Sequence, residues 1–237
     1  MLRLGDFDTV FVENGKAVLN PEKIDFWDWC IAECAKNGIY VQIDTMATNG
    51  FNKTNWYRPE GQRRNAKFRL LFNPAMREEY RIGMKAILEH VNPYTGKALR
   101  DDPVLAVINY NNEQEFAFHY RPVTPQNRAL AIGPWREFMK KRYGTIATLN
   151  SKKGTSYKSF DELPCYNIFK KDADTNEFIC QTSLDLLHFY QGVLKEIGYK
   201  GLFSNYDFVK SLLYHFVRSE TDYVGMHVYC DHPLGKS

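Results

Sequence analysis

The chain has 237 residues, of which 44% are hydrophobic, and 31 basic side chains against 28 acidic ones give a formal net charge of +3. This composition is that of a globular protein with a sizeable core, and the weak positive charge gives no argument for nucleic-acid binding. No apolar run reaches the ~18 residues of a membrane span, so no membrane partner is expected.

Signals for targeting, disulfides and metals are weak. The opening residues MLRLGDFDTVFVENG lack the apolar core of a signal peptide, which leaves the localisation unknown. The five cysteines show neither a zinc spacing nor a disulfide framework, so mostly free thiols, with room for one bridge, are expected. His227, Asp231 and His232 do not form a convincing metal set, and no metal or cofactor is predicted.

In chain order, the elements predict an α/β fold. Four apolar segments are typical of buried strands: Ile39–Met46, Val104–Tyr110, Leu202–Asn205 and Tyr223–Tyr229. Amphipathic patterns predict helices over Ile24–Lys36, Asn73–His90, Thr182–Ile197 and Asp207–Glu220. Apolar strands that alternate with helices predict a parallel sheet covered by helices.

Several helix ends carry cap residues. Asn73 is expected as an N-cap, with Pro74 at the first helical position. Gly38 and Gly198 are expected as helix-end glycines.

The rest of the chain predicts loops and an insertion. Asn49–Leu70 is a long polar loop, and residues 121–181 form an insertion with two short helices broken at Gly154. Residues 1–237 are treated as a single domain.

Each predicted strand is followed by polar side chains. They are Asp44 and Thr45, Asn112 and Glu113, Asn205 and Asp207, and His227, Tyr229 and Asp231. The carboxyl ends of parallel strands share one rim of the sheet, and ligands bind at that rim. A binding site is therefore predicted there, against the simpler interpretation that any strand must end in a polar loop.

Glu113 is the predicted catalytic residue. A carboxylic acid at a strand end beside aromatic side chains has a raised pKa and donates a proton near neutral pH. Asn112 offers its amide to a sugar hydroxyl. Glycosidic cleavage needs such an acid and a second carboxylate, ~5 Å away in retaining enzymes and ~6.5 to 9.5 Å away in inverting ones.

Four stretches resemble the catalytic (β/α)8 TIM barrel of clan A glycoside hydrolases, a superfamily with cellulase-like and beta-galactosidase-like members. They are NGIYVQIDTM, similar to the third strand; DDPVLAVINYNNE, similar to the fourth strand with its Asn-Glu pair; WREFMKKRYGTIATLNSKKGTSYKSFDEL, similar to an insertion; and DYVGMHVYCDHP, similar to the sixth strand with its His-x-Tyr pair.

This resemblance implies a retaining hydrolase of β-linked glycans. Glu113 would be the general acid/base, and Asn112 would bind the hydroxyl next to the scissile bond. Tyr229 would orient the nucleophile and His227 would line the sugar site. The expected partner is an oligo- or polysaccharide.

Three further residues complete the predicted substrate-binding set. Asp44 and Asn205 lie at neighbouring strand ends, and Trp56 lies in a loop, where its ring suits the apolar face of a sugar. Trp27 and Trp29, by contrast, lie in a helical pattern and are expected in the core.

The sequence departs from the family pattern in three places. Gln114 stands where many relatives have proline, and the strand over Ile39–Met46 ends without the histidine of some relatives. Eight residues follow Tyr229, whereas the family nucleophile is a Glu at the end of a seventh strand. As an alternative, Asp44, Asp207 or Asp231 would activate a water, with inversion.

The expected architecture is a truncated barrel of central strands, with the first two strands absent or reduced. Its open edges would be covered by a second chain through self-association, by Thr9–Val18 with the tail, or by further strands of a longer protein, which is favoured. The alternative function is a non-catalytic glycan-binding barrel fragment.

The loop over Trp56–Leu70 is rich in basic residues. They are Arg58, Arg63, Arg64, Lys67 and Arg69. Such a loop suits a clamp for an anionic glycan, although a solvated loop is the favoured interpretation.

Overall fold

A computed structural model of the protein describes residues 1–5, 10–45, 65–112, 125–170, 172–207 and 212–226. Five parallel strands lie in one sheet: β1 (Leu2–Leu4), β4 (Val41–Asp44), β5 (Leu105–Asn112), β6 (Leu202–Asp207) and β7 (Gly225–Met226). Their order in the sheet is the order in the chain, β1-β4-β5-β6-β7. The predicted parallel α/β architecture is therefore confirmed.

Strand β1 was not predicted. Leu2 pairs with Val41 and Leu4 with Ile43, so β1 adds a parallel strand beside β4. Its sequence, Leu-Arg-Leu, is too short to show a strand period.

The strand-like segment Thr9–Val18 has a different place from the one expected. Val10–Glu13 (β2) and Lys16–Leu19 (β3) form an antiparallel hairpin of their own, outside the parallel sheet. Asn14 and Gly15 make the two-residue turn with φ values of 52° and 72°. An Asn-Gly pair is favoured there because both turn residues have positive φ.

Seven α-helices are described. They are α1 (Pro21–Lys36), α2 (Asn65–Phe72), α3 (Pro74–Glu89), α4 (Pro125–Tyr143), α5 (Ile146–Lys153), α6 (Ala173–Ile197) and α7 (Leu212–Arg218). Short 3-10 turns lie at Leu99–Asp101 and Phe160–Glu162. None of these described helices has the length and apolarity to cross a bilayer.

The predicted caps are confirmed. The Asn73 side chain accepts hydrogen bonds from the backbone N–H groups of Ala75 and Met76, with Pro74 at the first helical position. Gly198 ends α6 with φ 83°. The break predicted at Gly154 is wrong in position, because α4 and α5 are separated at Gly144, with φ 70°, and Gly154 ends α5 with φ 65°. Gly38, with φ 67°, follows the C-cap Asn37 of α1.

Two expectations about helices were wrong. The polar loop predicted over Asn49–Leu70 becomes helical from Asn65, where α2 begins. Trp27 is buried as expected, but Trp29 is 50% exposed. Two residues along a helix are about 200° apart, so these two indoles face opposite sides.

An aromatic layer lies between the sheet and the helices. Tyr110 of β5 stacks on Phe203 of β6 with ring centroids 4.9 Å apart, and lies 4.5 Å from Tyr190 of α6. Tyr80 of α3 contacts Tyr190 edge-on at 4.7 Å, and its hydroxyl lies 2.6 Å from Thr45 Oγ1. This layer fixes which face of the sheet points towards helices α3 and α6.

Candidate functional site

The opposite face of the sheet carries a buried polar network centred on Asp44. Strand alternation places Asp44 and Gln42 on the side away from Thr45 and the aromatic layer. The carboxylate of Asp44 is fully buried, and Asn109, its register partner on β5, is buried as well. Side chains of the neighbouring strands β4 and β5 therefore meet at one charged group.

Both oxygens of Asp44 are engaged. Oδ1 accepts hydrogen bonds from Gln42 Nε2 at 2.9 Å and from Asn109 Nδ2 at 3.0 Å. Oδ2 forms an ion pair with the guanidinium of Arg3 on β1. Because both oxygens already accept bonds, this carboxylate is better suited to holding Arg3 in place than to accepting a proton as a base.

Arg3 is the polar residue that sequence reasoning missed. Its side chain is 45% exposed although its partner Asp44 is buried. The sequence feature that could have revealed it is the single charge in Leu-Arg-Leu. In a strand, the arginine side chain points to one face and the two leucine side chains point to the other.

Asn205 is buried near the carboxyl end of β6. It is 3% exposed, and its Oδ1 has no hydrogen-bond partner within the described residues. A buried amide oxygen in this condition calls for a water or ligand donor. Alternation, however, places Asn205 on the side of Phe203 and away from Ser204, the residue in register with Asn109.

The predicted acid/base follows directly on a described strand end. Asn112 is the last residue of β5, and its backbone pairs with that of Tyr206 on β6. Glu113, His227, Tyr229 and Trp56 lie outside the described residues. The structure thus brings Asp44 and Asn109 together below the end of β5, and the assembly of the remaining predicted site residues stays a prediction.

The basic loop is only partly covered. Arg58, Arg63 and Arg64 lie outside the described residues, whereas Lys67 lies in α2 and is 3% exposed. The favoured prediction of a solvated loop is therefore wrong at Lys67, which is helical and buried.

Metal and disulfide chemistry has little support in the described part of the chain. Its four cysteines, Cys30, Cys34, Cys165 and Cys180, are free thiols. Within the same residues, no group of three or more His, Cys, Asp or Glu side chains could hold a metal ion.

Comparisons with known proteins point to glycosidases. No family model matches the chain. A curated relative, mannan endo-1,4-beta-mannosidase 1 of Oryza sativa subsp. japonica, is 32% identical over 91 residues, which cover 36% of this chain and 21% of the relative.

Solved structures match almost the whole chain. The beta-galactosidase of the psychrophilic Marinomonas ef1 aligns with a TM-score of 0.70 at 17% identity, covering 96% of this chain and 36% of that one. The beta-galactosidase of Bacillus circulans sp. alkalophilus aligns with a TM-score of 0.65 at 17% identity, covering 98% and 37%. The chain therefore spans little more than a third of the length of these structures.

These likenesses confirm the predicted fold class, part of a (β/α)8 barrel of the kind found in glycoside hydrolases. They also confirm the resemblance that the sequence motifs indicated. At identities of 17%, the structural matches speak for the fold alone.

Proposed function

We propose that the chain is the acid/base-bearing part of a retaining glycoside hydrolase that acts on β-linked glycans. The observation that carries this proposal is the position of the Asn112–Glu113 pair. Asn112 ends β5, the middle strand of five parallel strands, and ligands of such sheets bind at the carboxyl ends of the strands. The named relatives, a mannosidase and beta-galactosidases, support a sugar substrate.

In this proposal Glu113 acts twice. It first donates its proton to the glycosidic oxygen as the bond from the anomeric carbon to that oxygen breaks, while a carboxylate nucleophile bonds to the same carbon from the opposite side. Glu113 then takes a proton from water, whose oxygen attacks the anomeric carbon and releases the nucleophile. Asn112 binds the neighbouring hydroxyl, Tyr229 orients the nucleophile, and His227 and Trp56 line the sugar site, whereas strand alternation places Asn205 on the other face of the sheet.

The nucleophile is proposed to lie on a strand beyond these 237 residues. Among the described carboxylates, Asp44 is the one buried on the inner face at a strand end, and Arg3, Gln42 and Asn109 already engage both of its oxygens. This engagement disfavours Asp44 as a base for inverting hydrolysis. In the proposal it supports the substrate-binding face by holding Arg3 in place.

A second function, that of a non-catalytic glycan-binding barrel fragment, is favoured by this engagement of Asp44. Within the described side chains, the buried carboxylate on this face, Asp44, is committed to an ion pair with Arg3, so the face offers a polar surface for a sugar but no free carboxylate. Sugar affinity without bond cleavage would then be the whole function of the chain.

Chemical rescue distinguishes the two functions. Aryl β-mannosides and β-galactosides are incubated with the chain, with and without sodium azide, and release of the phenol is measured. Azide, a small anion, takes the place of the missing nucleophile and forms a glycosyl azide, while Glu113 protonates the departing oxygen. We expect little release without azide and clear release with it.

The variants identify the acid. Glu113→Gln should abolish azide-dependent release from substrates with poor leaving groups, because these need protonation. The matched control is Glu137→Gln, an exposed glutamate of α4, which should behave as the wild type. Binding with no release in azide would support the non-catalytic function. Azide-independent release that Glu113→Gln removes would mean that a second carboxylate lies within the chain.

A further inference from the structure

An exposed aromatic patch lies on helix α1 and the turn that follows α3. It consists of Phe26, Trp29, Val91 and Tyr94, which are 59%, 50%, 56% and 51% exposed. Phe26 and Trp29 are one helical turn apart on the same face of α1. Single exposed apolar residues are common, but a cluster that includes three aromatic rings marks a binding surface.

The patch is held in place by hydrogen bonds. Tyr94 donates its hydroxyl hydrogen to Asp25 Oδ1 at 2.8 Å, one helical turn before Trp29. Asn92 Nδ2 donates to the backbone oxygen of Asp28 at 2.9 Å. These bonds fix the turn after α3 against α1, so the Tyr94 ring is held beside the helix that carries Phe26 and Trp29.

A further contact anchors the same turn. His90 Nε2 lies 2.7 Å from the carboxylate of Asp28, which is 4% exposed. The turn is thus tied to α1 at Asp25 and twice at Asp28, which lowers the entropy cost of ordering its backbone and Tyr94 when a ligand binds.

The patch is remote from the predicted catalytic rim. The turn that carries Tyr94 lies between the end of α3 at Glu89 and the start of β5 at Leu105. It therefore lies at the amino ends of the strands, whereas Asn112 and Glu113 follow the carboxyl end of β5. A sugar bound at the patch would therefore lie away from the glycosidic bond that is cleaved at the rim.

We propose that the patch is a secondary binding site for a β-linked polysaccharide chain. The rings of Phe26 and Trp29 lie side by side, with centroids 6.5 Å apart and planes tilted by 31°, and so form a broad apolar platform. Such a platform suits the apolar faces of successive sugar rings, and the adjacent carboxylate of Asp25 accepts hydrogen bonds from sugar hydroxyls. The choice of a polysaccharide rests on the proposed function.

The size of the patch also favours this ligand over a protein partner. Three aromatic side chains, each about half exposed, present on the order of 200–400 Å². A standard protein interface buries about 800 Å² on each partner. The patch is therefore too small for a stable dimer and adequate for a short run of sugars.

Affinity electrophoresis in native gels that contain soluble β-mannan or β-galactan tests the proposal. The Glu113→Gln chain is used as the background, so that the polysaccharide is not cut during the run. We expect retardation, and in this background Trp29→Ala should weaken the affinity about tenfold, through loss of ring contact area. Phe169→Ala, which removes a 70% exposed ring elsewhere, should leave the affinity unchanged.

Each other outcome overturns the proposal. Retardation that survives both Trp29→Ala and Phe26→Ala would place the polysaccharide elsewhere. No retardation at all would show that the patch does not bind the polysaccharide. Because the azide assay could still show cleavage in that case, the two experiments test this inference and the proposed function separately. A smaller assembly for Trp29→Ala in light scattering would identify a protein contact instead.

Discussion

Asp44 shows how a single side chain organises the inner face of the sheet. It accepts hydrogen bonds from its own strand and from β5, and pairs with Arg3 on β1. Taking a carboxylate out of water is costly unless its lone pairs are satisfied, and here three donors satisfy them. The network therefore favours one register of three strands, and it holds the guanidinium of Arg3 against the buried carboxylate.

Replacing Asp44 by asparagine tests this role. Asp44→Asn removes the charge that pairs with Arg3 and turns one acceptor into a donor that faces other donors. We expect a loss of about 2 kcal/mol in the free energy of unfolding, less than for a wholly buried pair because Arg3 is part exposed. Urea denaturation measures the loss, and Asp185→Asn, which removes the 64% exposed partner of Arg77, should cost about 0.5 kcal/mol or less. Equal losses for the two variants would contradict the role of Asp44.

At the scale of elements, residues with a local conformational demand were the ones that sequence could identify. Asn73 was predicted as a cap because its side chain satisfies two free N–H groups of α3. Gly198 was predicted as a helix end because a glycine follows the helical pattern there, and it adopts φ 83° as the C-cap of α6. The start of α6 at Ala173 was missed, because its first turns pack in the insertion and show a less regular apolar period than Thr182–Ile197.

Gly192 inside α6 and Gly198 at its C-cap provide a matched pair for these ideas. Gly198→Ala forces an L side chain into the left-handed region, so the free energy of unfolding should fall by about 1 kcal/mol. Gly192 lies exposed inside the same helix with open space around it, and Gly192→Ala should raise the free energy of unfolding by about 0.5 kcal/mol. Thermal unfolding of the two variants measures both signs. Two shifts of the same sign would refute the assignment of the helix end.

Helices α4, α5 and α6 are joined by a buried charge. Asp174, 2% exposed in the first turn of α6, pairs with Arg142 of α4 and Lys153 of α5, and the hydroxyl of Tyr143 donates to it at 2.9 Å. Burial opposes ionisation, but the hydrogen bonds from Lys153 and Tyr143 and the positive charges of Lys153 and Arg142 together lower the pKa of Asp174 below its ordinary value. The insertion is thus fastened to the helix that leads into β6.

This lowered pKa predicts a pH dependence with a definite sign. Because the folded state favours the ionised form, the stabilisation is complete above the unfolded-state pKa of about 4 and is lost as pH falls through the lower folded-state pKa. Asp174→Asn should therefore be less stable than the wild type at pH 7, and the difference should shrink below pH ~4. Urea denaturation at pH 7 and pH 3 measures it, with exposed Asp161→Asn as control. A difference that stays constant across this range would show that charge is not the cause.

At the scale of the whole molecule, the order of strands and helices could be predicted from the sequence. The exposure of individual side chains and their partners from distant parts of the chain could not. Val104–Tyr110 was recognisable because a strand buried on both faces is mostly apolar, here with the single polar residue Asn109. The exposure of Trp29 was not recognisable, because an indole in a helical pattern looks the same in sequence whether it packs inward or faces solvent. Arg3 was missed for a related reason, since its partner Asp44 is 41 residues away in the chain.

The edges of the sheet lead to the last prediction, self-association of the chain. Strand β1 lies at one edge of the described sheet, and Leu2 on it is 38% exposed. An edge strand presents unpaired N–H and C=O groups that a second copy can pair with, and a lysine on such a strand blocks this pairing. Light scattering should show a mass that rises with concentration, and Leu2→Lys should reduce the rise. Trp29→Ala, outside the sheet, should leave it unchanged, and a mass that is monomeric at every concentration would contradict association through the sheet edge.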